Sequence, residues 1–87
     1  MKITELLGHK IRLGIIVELY RHGEMSTFEL VSKLESSYRV INEHLKMLEA
    51  AGFVKVRRVG RMKMIKLSGD PRIQTLAKTL VELDGKR

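Results

Sequence analysis

Apolar residues recur along this chain at two periods, and the point where the period changes divides it. Over residues 9–22, HKIRLGIIVELYRH, Ile11, Ile15, Ile16, Leu19 and Tyr20 share one broad face at helical spacing, and Gly23 supplies a C-terminal stop. Before it, Ile3, Leu6 and Leu7 fall on one side of a helical turn or two that ends at Gly8. The next boundary is marked by its chemistry. Ser26 and Glu29 form a capping box, in which each side chain accepts from a backbone N–H at the start of a helix. Met25 and Leu30 take the two positions of a hydrophobic staple around it. The pattern predicts a helix of about two turns that starts near Thr27, buries Phe28, Leu30, Val31 and Leu34, and ends by Glu35. The linker is only Glu35-Ser36. Ser37 is then a good N-cap for a longer amphipathic helix, in which Ile41, Leu45 and Leu48 face inward and Gly52 closes the segment.

After Gly52 the period shortens to that of a strand. FVKVRRV and RMKMIKL alternate apolar with basic residues, as half-buried strands do, and read as a hairpin around Val59-Gly60. Valine is a poor occupant of a type I′ turn, whose central residues need positive φ, so a looser, mobile tip is expected. SGDP breaks the chain, and Pro71 suits the first turn of a last helix. There Ile73, Leu76, Leu80 and Leu83 form a narrow stripe with Ala77 and Val81 beside it, and DGKR reads as a fraying tail. The expected architecture is mainly α with a small β-hairpin, in the order α-α-α-β-β-α. It forms one domain over residues 1–87, of which 71–87 are a dimerisation helix and tail.

Composition narrows the class. At 87 residues a single core is modest. Apolar runs such as Ile15-Ile16-Val17 fall far short of the roughly 20 residues that a membrane span needs. The start, MKITELLGHK, lacks the apolar region of a signal peptide, so a cytoplasmic protein is expected. The absence of cysteine excludes disulfides, thiolate metal sites and cysteine nucleophiles. The formal charge is +7, and its excess is local. Between Ala50 and Gly69 there is no acidic residue, while Lys55, Arg57, Arg58, Arg61, Lys63 and Lys66 all lie there. A basic domain of this size suits a polyanion, nucleic acid ahead of a membrane surface.

Catalytic and metal chemistry find no footing. No two of His9, His22 and His44 lie at helical contact spacing, and no carboxylate cluster joins them, so structural or surface roles are assigned. His44, between Ile41 and Leu48, belongs at the edge of the core. Ser26 and Ser37 are accounted for by capping, and nothing resembles a phosphate loop, a carboxylate pair or a triad. No enzyme, cofactor or metal is expected.

The order helix, helix, turn, helix, basic hairpin, helix resembles a winged helix-turn-helix domain. LGHKIRLGIIVELY (7–20), ELVSKLESSYRVINEHLK (29–46) and HLKMLEAAGFV (44–54) are similar to the corresponding segments of ArsR/MarR-like bacterial and archaeal transcription regulators, over roughly residues 6 to 67. That resemblance implies a homodimer that inserts its recognition helix into the DNA major groove and lays the wing along the backbone or minor groove. It puts Ser37, Tyr38, Arg39, Asn42, Glu43 and Lys46 on the exposed face of the recognition helix, and Arg58, Gly60, Arg61 and Lys63 on the wing. The chemistry suits those places. Arginine pairs bidentately with guanine and asparagine with adenine, while Glu43 is suited to holding Arg39 or Lys46 across one turn. The plainer readings are a solvated helix face, and edge charge that blunts strand pairing, a role that suits Lys55 and Lys66. The metal-sensing members carry paired cysteines where this chain reads EMSTFEL. Others use ligands in the C-terminal helix, where only Asp70, Glu82 and Asp84 are present, so neither route to metal sensing is expected.

The C-terminal stripe of Ile73, Leu76, Leu80 and Leu83 either packs on its own domain or pairs, together with Ile3, Leu6 and Leu7, with a second copy. The narrow seam favours the pairing. The expected function is sequence-specific binding of double-stranded DNA by a homodimeric transcriptional regulator, a repressor sooner than an activator. The rival is a winged-helix module that docks a protein and whose basic surface is incidental.

Overall fold

The computed structural model describes residues 2–85; Met1, and Lys86 and Arg87 of the expected tail, lie outside them. The elements run α1 (Ile3–Leu6), α2 (Lys10–His22), β1 (Met25–Ser26), α3 (Thr27–Leu34), α4 (Tyr38–Ala50), β2 (Val54–Val59), β3 (Met62–Leu67) and α5 (Pro71–Asp84). Each helix after α1 begins where a side chain can satisfy its free amides. The His9 ring accepts from the Ile11 N–H at 3.1 Å. The Ser26 hydroxyl accepts from Glu29 N–H at 3.1 Å while the Glu29 carboxylate accepts from Ser26 N–H at 2.9 Å, which completes the expected capping box. Ser37 accepts from Val40 N–H at 3.1 Å, and Asp70 from Arg72 N–H at 2.8 Å. Between α3 and α4 the chain reverses through Glu35, whose φ of 51° places it in the left-handed region.

The core is built where α2, α3, α4 and the hairpin meet. Ile15, Ile16, Leu30, Ile41, Leu48 and Ile65 are fully buried, with Leu19, Met25, Leu45 and Val54 around them. Each such side chain is stabilised by roughly 1.5–3 kcal/mol relative to exposure. Gly14 lets α3 come close to α2, because a Cβ there would lie 2.9 Å from Leu34 Cδ2. The α5 helix lies on α2, with Ala77 fully buried and Ile73, Leu76 and Leu80 packed against the core.

Four sequence expectations need correction. Phe28 is 74% exposed rather than buried. At about 100° per residue it sits roughly 110° from the middle of the stripe formed by Thr27, Leu30, Val31 and Leu34, so that face cannot reach it. The hairpin turn is Gly60-Arg61 rather than Val59-Gly60, since Val59 pairs with Met62. Positive φ falls on Gly60 alone (61°), as a type II′ turn requires, and valine stays in the strand. A further strand, β1, pairs Met25 with Ile65 and Ser26 with Met64, making β3 the centre of a three-stranded antiparallel sheet in the order β1-β3-β2. Finally, Asp84 is not tail: it is the last residue of α5 and pairs with Arg21 at 2.7 Å.

Candidate nucleic-acid interface

The faces of α4 follow from its pitch. With Ile41, Leu45 and Leu48 held in the core, a rotation of about 100° per residue turns Arg39, Glu43 and Lys46 directly away from it. Arg39 reaches Glu43 at 3.4 Å, and both side chains remain well exposed. An exposed pair of this kind contributes little to stability, and the guanidinium keeps donors to offer elsewhere. Tyr38 is about half exposed at the first turn, beside Ser37, whose hydroxyl is already engaged in the cap.

The two flanks of α4 are each tied to another element. On one side, the half-buried Asn42 accepts through Oδ1 from Lys63 Nζ on β3, at 2.6 Å. On the other, His44 and Met47 meet Arg12 of α2. The Arg12 guanidinium, 8% exposed, donates to the carbonyls of Glu5 and Leu6 at the end of α1. Its remaining nitrogen lies 2.9 Å from His44 Nδ1 and 3.0 Å from Met47 Sδ. One buried cation thus pins α1, α2 and α4 together. The His9 ring stands 4.3 Å from that of His44. Burial, with the charges of His9 and Arg12, holds the His44 imidazole below its ordinary pKa, and Glu43 opposes this only partly.

The wing presents two different faces. In the β2–β3 register Val54 opposes Leu67, Val56 opposes Ile65 and Arg58 opposes Lys63. The face that packs on the core therefore continues outward as two cations beside α4. Like charges directly opposed across strands repel, and an anion between them relieves it. The other face carries Lys55, Arg57 and Lys66. There Glu24, 33 residues upstream, takes Arg57 through two bonds of 2.8 Å. That bidentate contact lowers the Glu24 carboxyl pKa, with Lys66 adding to the effect, and raises that of Arg57. Arg58 and Arg61 make no hydrogen bond or ion pair among the described residues.

All ten residues expected at the interface lie on α4 with its cap or on the wing; Tyr38, Arg61 and Lys63 border one recess, while Lys46 borders the apolar depression beside α1. Asn42 and Lys63 are in direct contact. Sequence reasoning missed their neighbours. Phe28 (74% exposed) and Met62 (52%) line a recess of about 80 Å³ with Ser26 and Thr27 and the expected Tyr38, Arg61 and Lys63. A helical wheel centred on Leu30 and Leu34 points Phe28 outward, and the correct turn register does the same for Val59 and Met62. Glu24 gave no signal, because its partner is remote in sequence.

The residues expected at a dimer interface divide. Ile3 and Leu83 are 52% and 62% exposed, Leu7, Ile73, Leu76 and Leu80 are partly buried, and Leu6 belongs to the core itself. Ile3 borders an apolar depression lined by Leu6, Met47, Ala50, Ala51 and Phe53, and a second one beside it reaches Ile73 and Leu76. Among the described residues no group of three histidine or acidic side chains is arranged to hold a metal ion, and no helix is long and apolar enough to cross a membrane.

Comparison with known proteins bears on the same segments. A profile of winged helix-turn-helix DNA-binding domains matches residues 9–55, from the cap of α2 to the start of the wing. An uncharacterized HTH-type transcriptional regulator of Bacillus subtilis, YuzN, is 30% identical over 86 residues, covering 92% of each chain. The arsenical resistance operon repressor of Escherichia coli is 28% identical over 82 residues, covering 94% of this chain and 68% of the repressor. Among solved structures, HlyU from Vibrio cholerae superimposes with a TM-score of 0.87 at 26% identity, over 97% of this chain and 89% of that one.

Proposed function

Since the chain belongs to the winged helix-turn-helix DNA-binding family and is a transcriptional regulator, not an enzyme, we propose that it binds duplex DNA in a sequence-specific manner as a homodimer and represses transcription. The observation that carries this reading is the contact of α4 with the wing through Asn42 and Lys63, beside Arg58 and Arg61, which make no hydrogen bond or ion pair among the described residues.

In that reading α4 enters the major groove. Arg39 and Lys46 reach base edges or phosphates, Ser37 and Tyr38 contact the backbone at the start of the helix, and Glu43 orients Arg39. The wing lies along the flank, with Arg58, Arg61 and Lys63 on phosphates and Gly60 allowing the turn to approach closely. Two subunits would read a pseudo-palindrome with half-sites about 34 Å apart. Ile3 with the apolar depression beside it, and the exposed Leu83 of α5, supply the surface on which two copies pair. Repression follows the Escherichia coli relative, which is a repressor by name, and requires only that bound protein block polymerase.

The test is a mobility-shift titration of random-sequence duplex DNA at low salt. Retardation that weakens steeply as salt rises supports the proposal. Random duplex left unbound at low salt contradicts it and favours a protein-docking module.

A further inference from the structure

The side-chain oxygen of Asn42 is occupied by the wing, and this changes what the residue can do. A lysine ammonium has only donors, so the carboxamide must turn its oxygen to Lys63. Reading adenine takes both ends of the carboxamide, the oxygen to accept from the base amino group and the nitrogen to donate to the ring. The Lys63 bond takes one of the two lone pairs of that oxygen and holds the carboxamide against the wing. Lys63, for its part, faces Arg58 across the ladder, with no carboxylate in ion-pairing distance of either among the described residues. Its contact to Asn42, at 2.6 Å, draws the ammonium toward α4.

From this we propose that Asn42 is a positioning residue: by accepting from Lys63 it ties the wing to the recognition helix and fixes the Lys63–Arg58 cation pair where one DNA phosphate can sit between them. The inference rests on the DNA-binding reading and assigns Asn42 a role in backbone contact instead of base choice. A neutral acceptor is the side chain the place requires. Alanine would release Lys63, and a carboxylate would cancel the charge that the phosphate is to meet. Asn42 is the chain's only asparagine. In this account the spacing between groove-reading helix and wing is set by one side-chain bond on each subunit.

The experiment is a double-mutant cycle, read by fluorescence anisotropy on the duplex the wild-type protein selects and on a scrambled duplex. Asn42→Ala and Lys63→Ala should each weaken binding roughly three- to tenfold on both duplexes, and the double variant should be no weaker than Lys63→Ala alone. Lys63→Arg, which keeps donor and charge, should restore binding to within about threefold of wild type. The motif selected by Asn42→Ala from random duplexes should match the wild-type motif, an outcome that general loss of folding would not give. Additive losses, or a preference relaxed at one base pair in Asn42→Ala, would overturn the proposal. Wild-type protein that bound neither duplex would instead remove the DNA reading beneath it, and the same titration reports that failure separately.

Discussion

Replacing Arg58 and Arg61 with alanine removes two wing cations that have no partner within the described residues. If each neutralises one phosphate, each releases counterions, and the slope of log affinity against log salt falls by about 0.9 per contact, or about 1.8 per chain. Over a rise from about 50 to 200 mM salt, the variant should lose roughly tenfold less affinity per chain than wild type does. At the lowest salt it should already bind less tightly, by a similar factor for every sequence. Arg57→Ala is the control that gives the measurement its force. It changes the net charge by the same amount as one wing substitution, yet Glu24 already holds that guanidinium on the opposite face of the hairpin. Its slope should stay close to wild type. Anisotropy titrations at several salt concentrations supply the slopes, and thermal melts check folding, since exposed substitutions of this kind usually change stability by no more than about 0.5 kcal/mol. A slope reduced as much by Arg57→Ala as by either wing substitution would mean that overall charge, not the face beside α4, drives binding. An unchanged slope in the double variant would refute the wing contacts outright.

Ile41→Ala, at a position with no exposed surface, should cost about 2–5 kcal/mol in urea denaturation, because a cavity opens beneath α4. Acidification should lower stability near neutrality through His44. Its pKa is depressed in the folded protein by burial, so the unfolded chain binds more protons as pH falls below about 6.5. The melting temperature should fall over that range, and His44→Gln should flatten the fall. Leu83→Glu, at an exposed site on α5, should leave the chain folded but yield monomers in sedimentation equilibrium; a persisting dimer would place the pairing surface elsewhere.

Local chemistry made the helix-turn-helix legible in the sequence. Ser26 with Glu29 and the cap at Ser37 each mark a helix start through interactions that span three residues, so the boundaries of α3 and α4 could be read directly. What went unread depended on partners remote in the chain. The acid-free segment from 50 to 69 pointed to no partner for any of its six cations, yet packing delivers Glu24 to Arg57 and Asn42 to Lys63, leaving Arg58 and Arg61 with no such bond among the described residues. The short β1 strand exists only because β3 offers it an edge, and two residues carry no period of their own. Phe28 was assigned to the core by its hydrophobicity alone, although the angle of its helix turns it outward beside the wing. The C-terminal stripe shows the reverse case: a seam read as intended for a second copy is in large part covered by α2 of the same chain, and Leu83 remains its most exposed member.

Selection from a random duplex library with the full chain, followed by sequencing, tests whether α4 reads sequence. A motif with two inverted half-sites about one helical turn apart should be enriched, and the enrichment should be lost when Arg39 and Lys46 are both replaced by alanine. A library that emerges unenriched, or an identical motif selected by the Arg39 and Lys46 variant, would contradict sequence reading by α4.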